Sequence, residues 1–214
     1  MTDPIIDNDG PADIAWMRNL AQEGASAPLQ GGDILLAAGL LFGLASLAQW
    51  ALLSGLTPWS PEALGIVWPV ITVVFVAFAL IQGRRKSSLG GVRTSANRAS
   101  QTVWTSVGIG IFMLFVSMAL IGWRLGADVS RVVFSLIPSI IMVFYGMGWA
   151  VNATMMRSAF LWRLSIGSFV AAPVLAAFTG STLQYLAYAA CLFALMAFPG
   201  WLLMRKARAS SGVA

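Results

Sequence analysis

Residues 103–123 read VWTSVGIGIFMLFVSMALIGW, an uncharged run bounded by Arg98 on one side and Arg124 on the other. A helix rising 1.5 Å per residue needs about 20 apolar residues to cross a bilayer core about 30 Å thick. In lipid every backbone N–H and C=O must be satisfied inside the protein, and a helix does this within a single segment. This stretch therefore reads as a transmembrane helix, and five others read the same way, at 34–53, 63–81, 132–151, 159–178 and 183–204. The expected fold class is all-α, a polytopic transmembrane bundle of six spans. Arg163 lies inside the fifth run, but only about one turn from its start, where a long side chain carries its charge to the interface. Breakers separate the runs: Thr57-Pro58-Trp59-Ser60-Pro61, the polar stretch 83–101, Gly126-Ala127-Asp128, residues 152–157, and Thr179-Gly180-Ser181. Three regions follow: an acidic arm (1–33), the membrane domain (34–204) and a basic tail (205–214).

Composition removes whole classes of function. The chain has 214 residues, of which 58% are hydrophobic and 10% charged, against roughly 25% charged in a soluble domain. Histidine is absent and Cys191 is the single cysteine. Histidine-ligated haem, zinc held by imidazoles and histidine-based serine or cysteine catalysis are thereby excluded within this chain, as is an intrachain disulfide. No Asp, Glu or Lys lies in the middle of a run, which argues against proton antiport and intramembrane aspartyl or metalloprotease chemistry. The deep polar residues Gln49, Thr72, Ser117, Tyr145 and Tyr188 and the small hydroxyls read as groups that hydrogen-bond between helices. The ten methionines read as gap fillers, because no cysteine or histidine stands with them as a copper ligand. No cofactor, no metal and no enzymatic activity are expected.

Basic residues near span ends are retained on the cytoplasmic side. With the N-terminus inside, eleven of the thirteen Lys and Arg residues fall on that side, leaving Arg124 and Arg131 outside. The chain thus reads as a six-span membrane protein with both termini cytoplasmic. Trp50, Trp59, Trp68, Trp104, Trp123, Trp149, Trp162 and Trp201 fall near span ends and read as interfacial anchors. The first thirty residues have neither a basic start nor a continuous apolar stretch, so no cleavable signal peptide is read.

Gly39 and Gly43 form a G-x-x-x-G pair in the first span, and small residues recur at this spacing at Ser106/Gly110, Gly146/Ala150 and Ala190/Ala194, which predicts close helix packing. Pro69, Pro138 and Pro173 fall in the outer parts of their spans. The first two are expected near a helix start, where a missing N–H is tolerated. Pro173 is expected to kink its helix, because it frees the carbonyl of Phe169. Segments 69–75 and 138–144 match at proline, isoleucine, valine and phenylalanine, a pattern compatible with two parallel hairpin repeats.

Residues 13–24 have helical spacing in the acidic arm. Ile14, Trp16, Met17, Leu20 and Ala21 share one half of the wheel, with Arg18, Asn19, Gln22 and Glu23 on the other. A helix this short is marginal alone in water, so its apolar half needs a surface. Six acids oppose Arg18 over residues 1–33, the wrong sign for an anionic leaflet. The surface is then the bundle itself or a cytoplasmic protein, with Ile14, Trp16, Met17 and Leu20 as the candidate partner-binding residues. The second loop is basic, with Arg84, Arg85, Lys86, Arg93 and Arg98. It serves as a retention signal, and beyond that as a contact for the acidic arm or for phospholipid head groups. No aromatics interleave these charges, so nucleic acid is not an expected partner.

The sequence DIAWMRNLAQEG at 13–24, followed by APLQGG at 27–32 and the first span, resembles the start of a group of uncharacterised bacterial inner-membrane proteins with an N-terminal helix and about six spans. The resemblance covers the first quarter of the chain and implies no activity. In layout the chain is also similar to six-span anti-sigma factors, whose short cytoplasmic N-terminal segment binds a sigma factor. No residue motif is shared with them, so no site residue carries over. The expected function is a non-enzymatic regulatory or scaffold protein acting through its N-terminal helix and basic loop. Its partners would be the lipid bilayer and either a cytoplasmic protein or a second copy of the chain. The alternative is a transporter or channel for a neutral or hydrophobic solute, with its path near the outer halves of the second, fourth and fifth spans. An enzyme acting on lipid ranks third, because no acid, base and nucleophile gather anywhere in the sequence. A polar cavity at mid-membrane would speak for transport, and a closed apolar bundle for the regulator.

Overall fold

The first span is helix α1, Gly32–Leu53, entered through Gly31 at φ 106°, a left-handed conformation that glycine adopts without a Cβ clash. In this computed structural model the described residues are 14, 31–88 and 95–210. Trp16, Met17 and Leu20 of the arm and Arg93 of the loop lie outside them. A 3₁₀ turn, Pro61–Ala63, leads into α2, Leu64–Ser88; α3 is Ser95–Leu125 and α4 is Ala127–Ser135. Then come α5, Ile137–Met155, and α6, Ala159–Ala177. The last span joins α7, Leu183–Leu192, through a π-helical segment, Phe193–Ala197, to α8, Phe198–Ser210. Among the described residues six helices are long and apolar enough to cross a membrane: Gly32–Leu53, Pro61–Arg85, Asn97–Leu125, Val132–Met155, Ala159–Ala177 and Leu183–Ala209. The chain is an all-α, multi-pass membrane protein, and among the described residues no strand occurs.

The fourth span departs from the expected single run. Val132 to Ser135 close the short helix α4, the chain turns at Leu136, and α5 starts with Ile137 and Pro138 in its first turn. Proline lacks the N–H a helix interior needs, and the first turn is where that lack costs least. At the other end α5 extends past the apolar run to Met155 and takes in Asn152, which the sequence had placed in a loop; its Nδ2 donates to the Gly148 carbonyl at 2.7 Å. Pro69, expected near a helix start, instead stands inside α2, beyond its first turn.

The core runs between α1, α5, α6 and the last span, where Met142, Trp149, Leu175, Leu192 and Met196 are fully buried. Helix α1 meets the last span backbone to backbone. A methyl group on Gly39 would run into the backbone nitrogen of Ala197, one on Gly43 would lie 2.6 Å from the Phe193 ring, and one on Gly32 would lie 2.7 Å from the Gly200 carbonyl. Small side chains let two helices approach this closely, and in lipid such packing is a main source of association.

The hairpin of α1 and α2 is tied at both ends. Trp68 Nε1 donates to Gln49 Oε1 at 2.8 Å, and Gln82 Nε2 donates to Asp33 Oδ2 at 2.8 Å. Between these, the Phe42 ring meets Trp68 and Phe75, with centroids 6.3 and 5.3 Å away. Helix α3 turns one face inward, along Asn97, Ser100, Trp104, Val107, Ile111, Leu114 and Met118 in three- and four-residue steps, and Trp104 on that face lies over Gly148 of α5. The α5–α6 hairpin is closed by Ser165 Oγ, which donates to the Gly146 carbonyl at 2.8 Å, and by the Phe169 ring, which leaves no room for a side chain at Gly146.

Candidate functional site

Of the arm's candidate residues, Ile14 is described, and its helical position is exposed. Arg84 and Arg85 are exposed near the end of α2, Lys86 continues that helix, and Arg98 is exposed at the start of α3. The contact of Gln82 with Asp33 puts the end of α2 beside the start of α1, and the crowding of Gly32 against Gly200 and Met204 brings the end of the last span there as well. Trp104, early in α3, lies over Gly148, late in α5, so the antiparallel helices collect Arg84, Arg85, Arg98, Arg157, Arg205, Lys206 and Arg208 at one end of the bundle. Gly39 and Gly43 sit at the crossing of α1 and the last span, and Pro173 stands inside α6 on its exposed side.

Trp149 requires a correction. The sequence placed it among the interfacial rings, whereas its side chain is fully buried. The cause is Pro199, also fully buried, in the last span. In an α-helix residue 199 would donate to the carbonyl of Leu195; proline has no N–H to give. Trp149 Nε1 donates to that carbonyl instead, at 3.2 Å. The span adjusts just before the proline by π-helical turns, in which the Phe198 N–H reaches back five residues to the Phe193 carbonyl. The same segment presents Phe193 and Ala197 to Gly43 and Gly39. Pro199 was visible in the apolar run, but nothing near it in sequence marks Trp149 as its partner. Trp59, Trp123, Trp162 and Trp201 are exposed near span ends, as an interfacial ring should be.

Gln184 escaped the sequence reading, and the buried small hydroxyls of Ser46, Ser165 and Ser168 are engaged by backbone carbonyls. Ser46 Oγ donates to the Tyr185 carbonyl at 2.8 Å and Ser168 Oγ to the Leu164 carbonyl at 2.9 Å. Gln184 Nε2 donates to the carbonyls of Ser135, 2.8 Å away, and Leu175, 3.1 Å away, and so occupies the C-terminal ends of α4 and α6, where helical carbonyls lack internal donors. Ser46 and Gln184 act as joints between helices, whereas Ser168 bonds a carbonyl of its own helix. Asn152 Oδ1 and Trp104 Nε1 are buried without a hydrogen-bond partner on either side of the Gly148–Asn152 turn. The Trp104 ring meets Trp149 and Tyr145 edge to face, with centroids 4.9 and 6.1 Å apart. Next to it an open groove of about 310 Å³ runs between α3 and α5, lined by Thr102, Val103, Ser106, Phe144, Met147 and Val151 among others. Among the described residues no cluster of His, Cys, Asp or Glu could hold a metal ion.

Compared with known protein families, with characterised proteins and with solved structures, the chain matches none.

Proposed function

We propose that the protein is a non-enzymatic regulatory or scaffold protein of a bacterial inner membrane, with both termini cytoplasmic, whose bundle holds the acidic N-terminal arm for docking to a cytoplasmic protein. The observation that carries this reading is how the centre of the bundle is used. Met142, Trp149, Leu175, Leu192 and Met196 fill it, while Ser46, Ser165, Ser168 and Gln184 are spent on backbone carbonyls. That is the closed interior expected of an anchor. The clustering of basic residues at one end supports a cytoplasmic assignment for that end, and the apolar half of the arm, with Ile14, Trp16, Met17 and Leu20, supplies the docking surface. Photo-crosslinking from position 16 of the full chain in living cells tests it: a crosslink to a soluble protein supports docking, and a crosslink only within the chain contradicts it.

A second reading, a transporter or channel for a neutral or hydrophobic solute, is favoured by the π-helical segment beside Pro199, since irregular turns inside membrane helices recur at functional positions. Flux of an uncharged solute into vesicles holding the purified protein, reduced by substitution in residues 193–197, would favour it.

A further inference from the structure

Helix α6 divides into two faces. Leu161, Leu164, Ser168, Ala172 and Leu175 are buried, in the three- and four-residue steps of one side of a helix. The other side is the stripe Trp162, Arg163, Ile166, Val170 and Val174, and every one of these is exposed. On a membrane-spanning helix an uncovered stripe faces lipid, which suits the aliphatic side chains and, near the span end, the indole. Arg163 is the exception. It is the one charged residue within the six apolar runs of the sequence, and it stands on the lipid side of its helix, about 6 Å along the axis from the first residue of α6, Ala159.

No Asp or Glu follows Asp128 in the sequence, so α5, α6 and the last span bring no carboxylate side chain to this guanidinium, and Asp33 on α1 accepts from Gln82. A charge at the edge of hydrocarbon is costly unless its long stem carries it to the head-group level and a counter-charge meets it there. The phosphate of an anionic phospholipid brings that counter-charge from the lipid side, and a planar guanidinium binds two of its oxygens at once. A zwitterionic lipid carries its own cation beside the phosphate and competes less well. We propose that Arg163 holds the phosphate of an anionic phospholipid, with Trp162 beside it at the head-group level and an acyl chain lying along Ile166, Val170 and Val174. The other basic residues at this end lie outside the apolar runs, and Arg205 among them lies over the Trp201 ring, 5.5 Å from its centroid. The proposal does not depend on what the N-terminal arm binds.

The test uses the full chain in vesicles of equal parts phosphatidylglycerol and phosphatidylcholine with the same acyl chains. A photo-crosslinking phenylalanine derivative replaces Ile166, one turn deeper than Arg163 on the same stripe, and mass spectrometry identifies the lipid joined to it. The same derivative in place of Val73, exposed on α2, gives the reference ratio. The proposal expects phosphatidylglycerol to be enriched at position 166 by about fivefold or more over that reference. It expects R163Q to bring position 166 down to the reference ratio, R163K to retain an excess, and the control R205Q to leave the excess unchanged. Equal ratios at the two positions with Arg163 in place overturn it, even if R163Q fails to fold. An excess that survives in R163Q, or is lost equally in R205Q, overturns it too. A crosslink from position 166 to residues 1–33 in place of lipid assigns the counter-charge to the acidic arm, and loss of the excess on adding inorganic phosphate assigns the site to a free anion; either result overturns the lipid.

Discussion

The indole N–H of Trp149 donates to the carbonyl of Leu195 at 3.2 Å, across 46 residues of sequence, and replaces the backbone donor that Pro199 cannot supply. Two features that look like defects when taken alone, a proline inside a membrane helix and a tryptophan in its core, satisfy one another. The carbonyl would otherwise be buried without a donor, at a cost of about 1–3 kcal/mol.

That pairing predicts a non-additive mutant cycle. Trp149→Phe keeps most of the ring and loses the donor, so it should lower stability by about 1–3 kcal/mol. Pro199→Ala restores a backbone N–H opposite Leu195, so in the double variant part of that loss should return, by about 1 kcal/mol relative to the sum of the single changes. Denaturation in detergent measures the four corners. Strict additivity would show that the carbonyl does not couple the two residues.

Glycine substitutions should divide by location. Gly39→Ala places a methyl group against the backbone of Ala197, which cannot swing aside, and should destabilise by about 1–3 kcal/mol. Gly83→Ala and Gly108→Ala meet nothing within 4 Å and should be neutral or stabilising by up to about 1 kcal/mol, since alanine is the better helix former. Thermal midpoints of the three variants decide it. A neutral Gly39→Ala would mean that α1 and the last span lie further apart than the structure has them.

Arg157, between α5 and α6, has φ 48° without being glycine. Left-handed backbone costs an ordinary residue about 1–2 kcal/mol, so Arg157→Gly should raise stability by about 1 kcal/mol. The comparison with Arg157→Ala, which removes the same charge and keeps the strain, isolates the backbone effect. Equal midpoints for the two variants would contradict it.

The helices were legible because lipid imposes a length on them: the runs beginning at 34 and 159 end in the structure within a residue of where the charges and glycines end them. Gly39 and Gly43 were legible as small residues, though only the structure shows Ala197 and Phe193 against them. What could not be read is pairing at long range. Asn152 looked like a loop residue because amides are common there, yet it is buried inside α5, where its amide can donate locally to Gly148 of its own helix. Nothing in the sequence singled out Gln184, yet two backbone carbonyls it donates to belong to the ends of two other helices. Polar residues in an apolar chain announce that a partner exists, and only the fold names it.

Orientation is open to reporter fusions along the chain. Fusions after Gly55, Asp128 and Gly180 should read outside, and those after Ser88, Thr154 and Ser210 inside, because the basic residues then lie cytoplasmic. The opposite pattern at every site would place the basic end outside and remove the arm from the cytoplasm.

The most direct measurement is made on the intact protein purified from its native membrane, comparing the unaltered chain with W16A/L20A for co-purifying proteins and for thermal midpoint together. Anchors of this kind contribute about 2 kcal/mol or more to binding, roughly thirtyfold in affinity. The account predicts that one soluble protein recovered with the unaltered chain disappears from the double variant while the midpoint stays unchanged. A lowered midpoint with the same co-purifying proteins would show that the arm packs on its own bundle, and would contradict the docking function.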